Sequence, residues 1–359
     1  MKAVLVLEDG RKFEGHALGS GGERIGELIF NTAVVGYQEM LTDPANAGKI
    51  LVLTYPLIGN YGCAPKFNES NKVWAQALVI KESSRIFSNW QAKESMQDFL
   101  KRNKTLVITG VDTRTLSVHL RQKGQMAGVI STQTSDLNEL LHKINIWRKD
   151  SKESALPSIS TKKAFNAGPL KTKKRIAVLD LGLTNSILKQ LESLNVGLRI
   201  LPYNTNSSEI LKARYNALII SGGPENDPAL EAIAREIKML IGKLPILGIS
   251  TGHQVLGVAL GARLEKLKLG HHGVNYPIHN PVSYKGEITV QNHSWVIDNE
   301  SFSKIKNVKV SSYNLNDRTI EEIESRKYKI LGVQYIPATA GFNELNPAFT
   351  RFMQMLKRS

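Results

Sequence analysis

The sequence is poor in the features that mark secreted and membrane proteins. It contains one cysteine, Cys63, in 359 residues, so an intrachain disulfide is impossible and a reducing compartment fits the chain. The apolar stretch over residues 3–7 ends at Glu8 and Asp9, which makes it too short for a signal peptide. No later apolar run is long enough to cross a membrane. We therefore expect a cytoplasmic protein without membrane contacts.

Signatures of nucleic-acid binding and of metal sites are also missing. The formal net charge is +15, because 47 Lys and Arg stand against 32 Asp and Glu, and such a balance raises the question of nucleic acid. The sequence has no helix-turn-helix, zinc-finger or RRM pattern and no interleaved basic and aromatic residues. His271-His272 has no neighbouring Cys or carboxylate cluster to support a metal. We therefore expect no nucleic-acid partner and no bound metal. Contact with an acidic protein would explain the positive charge as well as nucleic-acid binding would.

Length and patterning predict two domains joined by a linker. Residues 1–147 contain strand-like and helical segments, with Asp9-Gly10 as a hairpin turn between two of the strands. Residues 148–174 are rich in Lys and Ser and lose apolar periodicity, which is typical of a linker. Residues 175–359 alternate strand and helix patterns, and this alternation predicts a parallel, doubly wound α/β sheet.

A possible nucleophile lies between one of these strands and the next helix. Residues 245–257 read PILGISTGHQVLG and contain the G-x-S-x-G pattern of a nucleophile elbow centred on Ser250. The flanking Gly248 and Gly252 permit a sharp turn, and the following helix N-terminus offers free N–H groups that stabilise an anion. Position 250 is therefore suited to present a nucleophile.

A general base for Ser250 is hard to find. A serine hydroxyl needs a base, usually His, oriented by a carboxylate. The chain has eight histidines and none beyond His293, so the loop after the last parallel strand contains none. His253, on the first helical turn, and His271 are the remaining candidates, and both fit structural roles better. A weak serine hydrolase stays open as an alternative.

Longer blocks of the sequence identify a family. The C-terminal half resembles class I, triad-type glutamine amidotransferases, and the whole chain resembles the small chain of carbamoyl-phosphate synthase. The N-terminal half carries the resemblance in FNTAVVGYQEMLTDPANAGKILVLTYPLIGNYG and VDTRTLSVHLRQKG. The C-terminal half carries it, in order and spacing, in VLDLGLTNSILKQL, ISGGPENDP, GISTGHQVLG, KLGHHGVNYP and VQNHSWVID.

The resemblance implies both a fold and an activity. It implies a mixed α/β small-chain domain at the N-terminus and a flavodoxin-like, doubly wound amidotransferase domain at the C-terminus. In that family an elbow cysteine attacks the side-chain amide of glutamine, assisted by His and Glu of an H-P-E segment. A large chain then uses the released ammonia with bicarbonate and ATP. The expected partners are therefore that large chain and L-glutamine, with no cofactor in this chain and with ATP and its metal on the large chain.

The chain departs from the family at each catalytic position. Ser250 stands where the family has the nucleophilic cysteine, and Ile336-Pro337-Ala338 replaces H-P-E, so that neither the base nor the acid position can accept a proton. The family's S-N-G-P-G-D-P loop reads SGGPENDP over residues 221–228, with one residue more. Glu225 or Asn226 falls where the second glycine would be, which puts the oxyanion-binding geometry in doubt.

Several positions of the family's glutamine site are still recognisable. Ala45 falls where the family usually has a serine that helps to bind glutamine, and Gly223 matches the first glycine of the oxyanion loop. The remaining positions of that site are Thr251, Gln254, Asn292, Ser294 and Trp295. They either retain glutamine binding or simply hold the loops together.

Our interpretation is a small chain without glutaminase activity that docks a large chain in an ammonia-using complex. A regulatory or binding paralogue that supports no synthase flux is a second interpretation. A chain that uses the old pocket for another small molecule is a third. The resemblance does not distinguish arginine from pyrimidine biosynthesis.

Overall fold

The computed structural model describes residues 1–150, 153–169, 172, 174–339 and 344–357. By its internal contacts the chain divides into two compact units. Unit 1 contains Met1–Glu153 and Lys268–His272, and unit 2 contains Ser154–Leu267 and Gly273–Ser359. None of the helices in the described ranges is both long and apolar enough to cross a membrane.

Unit 1 combines strands with short helices, as expected for a mixed α/β domain. Its strands are β1 (Lys2–Leu7), β2 (Lys12–Gly19), β3 (Glu23–Asn31), β4 (Lys49–Leu53), β5 (Leu57–Ile58), β6 (Ala77–Val79), β7 (Glu82–Ser83), β8 (Leu106–Thr109) and β9 (Ala127–Ser131). Its helices are α1 (Tyr37–Thr42), α2 (Met96–Arg102), α3 (Thr113–Lys123) and α4 (Leu137–Asp150), with 3₁₀ turns at Pro44–Asn46 and Pro65–Phe67.

Seven of the described strands of unit 1 close into a barrel in the order β1-β2-β8-β6-β4-β3-β9, while β5 and β7 form a separate two-stranded sheet. The predicted hairpin is confirmed, because β1 and β2 pair antiparallel and Gly10 turns between them with a φ of 86°. Closure follows from β1, which pairs with β2 on one side and with β9 on the other. Leu5, Leu28 and Ile50 are fully buried within one apolar cluster of the barrel.

Unit 2 contains the doubly wound sheet together with further helices and strands on either side of it in the sequence. Its helices are α5 (Leu156–Ile159), α6 (Asn185–Glu192), α7 (Ser207–Lys212), α8 (Leu230–Lys238), α9 (Thr251–Leu260), α10 (Asn299–Ser303) and α11 (Pro347–Lys357). Its strands are β10 (Phe165–Ala167), β11 (Arg175–Asp180), β12 (Gly197–Pro202), β13 (Ala217–Ile220), β14 (Ile246–Ile249), β15 (Leu264–His279, without the residues Lys268–His272 that belong to unit 1), β16 (Gly286–Ile297), β17 (Lys309–Asn314), β18 (Ile320–Ser325) and β19 (Ile330–Val333).

A parallel sheet forms the centre of unit 2. The described strands order as β10-β12-β11-β13-β14-β19-β18-β17-β15-β16. The segment β12-β11-β13-β14-β19 is parallel throughout, and its order is the 2-1-3-4-5 of flavodoxin-like folds. The predicted flavodoxin-like architecture is therefore confirmed. Strands β18 and β17 extend the sheet in antiparallel pairing.

Apolar side chains cover both faces of this sheet, as a doubly wound fold requires. Alternate residues of β11 point to opposite faces, so that Ile176 and Val178 belong to one cluster while Ala177 and Leu179 belong to the other. The first cluster also contains apolar residues of α6 and α11, and the second contains those of α8 and α9. Because both faces are covered, a ligand-binding site is expected at the edge of the sheet where the parallel strands end.

The segment predicted as a linker carries regular structure where it is described. Helix α4 extends to Asp150, α5 lies at Leu156–Ile159, and β10 pairs antiparallel with β12 at the edge of the sheet. Residues 151–152, 170–171 and 173 of the segment lie outside the described residues. The domain boundaries at 147/148 and 174/175 stay a prediction.

Candidate functional site

Ser250 occupies a sharp elbow between β14 and α9. Ile249 pairs with Val333 of β19, and the next N–H, that of Ser250, donates to the Val333 carbonyl over 2.7 Å. Ser250 has φ 52° and ψ −113°, a backbone conformation that residues with a Cβ rarely adopt. The predicted strand–turn–helix context of the elbow is therefore present.

Close backbone contacts explain the two glycines around Ser250. A Cβ on Gly252 would lie 2.2 Å from the Ile220 carbonyl oxygen, and a Cβ on Gly248 would lie 2.5 Å from the Gly252 carbonyl oxygen. Real Cβ atoms do not approach backbone so closely, so any side chain at either position would displace the strand or the helix. The two glycines of the G-x-S-x-G pattern are thus required by packing, whatever chemistry the serine performs.

The first turn of α9 joins the elbow to the loop after β13, residues 221–228. The Thr251 hydroxyl donates to the Gly223 carbonyl over 2.6 Å. A Cβ on Gly222 would lie 3.4 Å from the Ser250 Cβ, which puts this loop beside the elbow side chain. The loop therefore adjoins the position at which a family oxyanion hole would form.

The carboxylate of Glu225 reaches the predicted glutamine-site residues. It accepts hydrogen bonds from Gln254 Nε2 at 2.7 Å, from the Ser294 N–H at 2.7 Å and from the Trp295 N–H at 3.1 Å. Gln254 Nε2 also donates to the Trp295 carbonyl at 2.8 Å. Gln254, Ser294 and Trp295 are therefore brought together, with Glu225 at their centre.

Sequence reasoning missed this role of Glu225. The extra loop residue predicts only a disturbance of the oxyanion loop, although an added carboxylate beside a glutamine site is a usable signal. Asn292 lies half-buried in β16, two residues before Ser294. Ala45 lies in unit 1, is 8% exposed, and donates its N–H to the Asp43 side chain, so that its place in a glutamine site stays a prediction.

The positions of the family's base and acid follow β19. Ile336 is half-buried against one of the two apolar clusters of unit 2, and its N–H donates to the Val290 carbonyl at 2.9 Å. The Ala338 carbonyl accepts from the Asn346 side chain at 2.9 Å. Neither side chain has an atom that can take a proton, so the residues at these positions supply no acid–base group.

His253 does not replace the missing base. Its imidazole is fully buried, and this burial lowers its pKa to about 3, so the ring is neutral at pH 7. The ring lies against β19, because a Cβ on Gly332 would come within 2.6 Å of its Nδ1. Among the described residues it makes no hydrogen bond to the Ser250 hydroxyl. A group with so low a pKa is a poor general base near neutral pH.

An ion pair between a half-buried arginine and a buried carboxylate fixes the backbone next to the Ile336 position. Glu322 of β18 pairs with Arg351 of α11, and the Tyr335 hydroxyl donates to the same carboxylate at 2.7 Å. Burial opposes ionisation of Glu322, but the hydrogen bond and charge of Arg351 keep its pKa below the usual value. The pair therefore stays charged at neutral pH and joins α11 to the sheet.

Comparisons with known proteins agree on one family. Residues 5–130 match the family model of the CPSase domain of the carbamoyl-phosphate synthase small chain, and residues 177–354 match that of class I glutamine amidotransferases. The carbamoyl phosphate synthase small chain of Listeria innocua is 37% identical over 356 residues, which cover 99% of this chain and 97% of that protein. The carbamoyl phosphate synthase small chain of Aquifex aeolicus is 38% identical over 366 residues, which cover 98% of each chain.

A structural comparison found solved structures that match about half of the chain. One of them, a glutamine amidotransferase of Thermotoga maritima, covers 52% of this chain and 84% of its own length, with a TM-score of 0.36 and 14% identity.

Proposed function

Because the chain belongs to the carbamoyl-phosphate synthase small chain family, we propose that it docks a large chain of such a synthase and supports synthesis from free ammonia, without hydrolysing glutamine. The observation that carries the proposal is the set of three replaced catalytic positions. Ser250 keeps the elbow geometry, but Ile336 and Ala338 supply neither base nor acid.

The chemistry of amide hydrolysis supports the proposed loss. Without a base, the Ser250 hydroxyl has no acceptor for the proton that it must lose on attack. Removal of a comparable triad costs on the order of 10⁶ in rate, which leaves no useful glutaminase. The carboxylate of Glu225 adds to this loss, since it already takes the hydrogen bonds of Gln254 and Ser294.

The proposed docking role rests on the parts of the chain that match the family outside the catalytic positions. The match to the small-chain CPSase domain extends over residues 5–130, and no catalytic departure lies in that range. A large chain that receives ammonia from solution needs the small chain only as a structural partner. ATP and its metal would then be bound by the large chain.

The experiment is co-purification with the large chain from the same genome, followed by measurement of carbamoyl phosphate formed with glutamine and, separately, with ammonium. We expect a stable complex that is active with ammonium and inactive with glutamine. A family small chain with Cys and an intact H-P-E segment, bound to its own large chain, is the positive control for glutamine.

Three outcomes would contradict the proposal. Comparable activity with glutamine would refute the loss of hydrolysis, and Ser250→Ala would then show whether the elbow serine is responsible. A complex that is inactive with both nitrogen sources would support a regulatory paralogue. Failure to form a complex would refute the docking role and point to a different ligand for the pocket.

A further inference from the structure

Two adjacent backbone N–H groups of β16 form the base of a small cradle beside the elbow. Those of Ser294 and Trp295 point at the same carboxylate, and the amide nitrogen of Gln254 adds a third donor. Successive backbone N–H groups that converge on one point make a concavity that binds anions. Gln254 is fully buried and Ser294 is 2% exposed, so water is largely excluded from two of the three donor residues, while Trp295 is half-buried.

The loop that carries Glu225 is held on both sides of it. Before it, Gly223 packs so tightly on Leu181 that a Cβ would lie 1.9 Å from the Leu181 carbonyl oxygen. After it, Asn226 has a φ of 55°, a left-handed conformation that Asn tolerates better than most residues. Asp227 then accepts from the Ser154 hydroxyl at 2.6 Å and from the Ala155 N–H at 2.7 Å.

We propose that the Glu225 carboxylate is an internal ligand, which fills a site for a small carboxylate formed by Gln254, Ser294 and Trp295. The anchored loop presents the carboxylate to the cradle as part of the chain. A tethered group acts at an effective concentration of millimolar or above. A free carboxylate such as acetate therefore competes poorly in the wild-type protein, and the site opens only when Glu225 is removed.

The inference deepens the proposed loss of glutamine hydrolysis, on which its functional meaning rests, but the contacts that carry it are independent of that loss. Replacing the catalytic residues explains why bound glutamine would not react. An occupied cradle explains, in addition, why small carboxylates would not bind. The first statement is tested by activity and the second by binding, so that either can fail alone.

The test uses Glu225→Ala in the full-length chain, with acetate and L-glutamate as probes. Three donors lose a charged acceptor, so we expect Tm to fall by about 4 °C or more without ligand. Acetate should restore part of this loss, and calorimetry should show affinities for acetate and glutamate at least about tenfold higher than in wild type. The matched control is Glu231→Ala, which removes an exposed carboxylate from the first turn of α8.

Glu225→Asp keeps the charge but shortens the side chain by one methylene, which withdraws it from the donors. It provides a folded protein if the alanine variant does not fold, and acetate should bind it more tightly than wild type. Equal acetate affinity in wild type and in both variants would overturn the inference. So would an unchanged Tm of Glu225→Ala, or a gain in acetate binding by Glu231→Ala of the same size.

Discussion

Substitution of Ser250 tests whether the elbow still stores backbone strain. Its φ of 52° and ψ of −113° lie in a region that glycine enters freely and that other residues enter at a cost of about 1–3 kcal/mol. Glycine also raises the conformational entropy of the unfolded chain, and this offsets roughly 0.5–1 kcal/mol of the stability gained by relief of the strain. Ser250 is 6% exposed, so the alanine variant is needed to separate the loss of its hydroxyl from the loss of its Cβ.

We therefore expect Ser250→Gly to be more stable than Ser250→Ala by about 1 kcal/mol. The alanine variant removes the hydroxyl but keeps the Cβ that causes the strain, so it separates the two effects. Urea unfolding followed by tryptophan fluorescence gives the free energies. Hydrogen exchange of peptides from α9 assigns the difference to the elbow.

A particular result would refute this reasoning. If the alanine variant equals or exceeds the glycine variant in stability, the Cβ at position 250 is not strained, and the elbow has relaxed along with the loss of the triad. If the glycine variant gains protection from hydrogen exchange only in peptides far from α9, the strain at position 250 is refuted as well. A gain of stability within α9 shows that the chain keeps the strained turn that presents a nucleophile.

Two further predictions concern the same helix. In the unfolded chain His253 takes up a proton below about pH 6.5, whereas its folded pKa is about 3, so stability is lost as the pH falls between these values. Between pH 7.5 and 5 wild type should lose about 2 kcal/mol more than His253→Gln in urea unfolding, and parallel losses would contradict the assignment. Gly252→Ala should destabilise the chain by about 3 kcal/mol or more, because its Cβ would lie 2.2 Å from the Ile220 carbonyl oxygen. Gly286→Ala, whose Cβ would meet its nearest atom at 3.5 Å, is the control, and equal Tm values in the two variants would refute the clash.

Local patterns predicted the fold best where structure depends on near neighbours. The apolar run and glycines of residues 245–257 predicted a strand, a turn and a helix, and β14, Ser250 and α9 occupy those positions. The barrel of unit 1 was not predicted, because its closure pairs β1 with β9, whose residues lie more than a hundred positions apart. The segment 148–174 lacks periodicity, yet α5 and β10 form there because Leu156 is buried in a core and β10 pairs with β12.

In the candidate site too, features that depend on residues close in sequence were easier to predict than features that depend on distant residues. The residues of the elbow were predictable from their spacing, whereas the base and acid positions follow only from the family resemblance. The added carboxylate of Glu225 is a signal in the sequence, but its hydrogen-bond partners are not, since Ser294 and Trp295 lie about seventy positions further along the chain. The sequence indicates an additional loop residue, but only the folded loop shows which way its side chain turns.

The elbow matches the family while the base and acid positions do not, and the contacts at each position explain this difference. The elbow is maintained by contacts that the fold needs, namely the Ser250 N–H bond to Val333 and the close packing of Gly248 and Gly252. The base and acid positions are instead held through the backbone, by the Ile336 N–H on Val290 and by the carbonyls of Pro337 and Ala338. Their side chains can change without loss of these bonds. Under the proposed loss of glutamine hydrolysis, a side chain at positions 336 and 338 can therefore be replaced freely, while the elbow is kept for structural reasons.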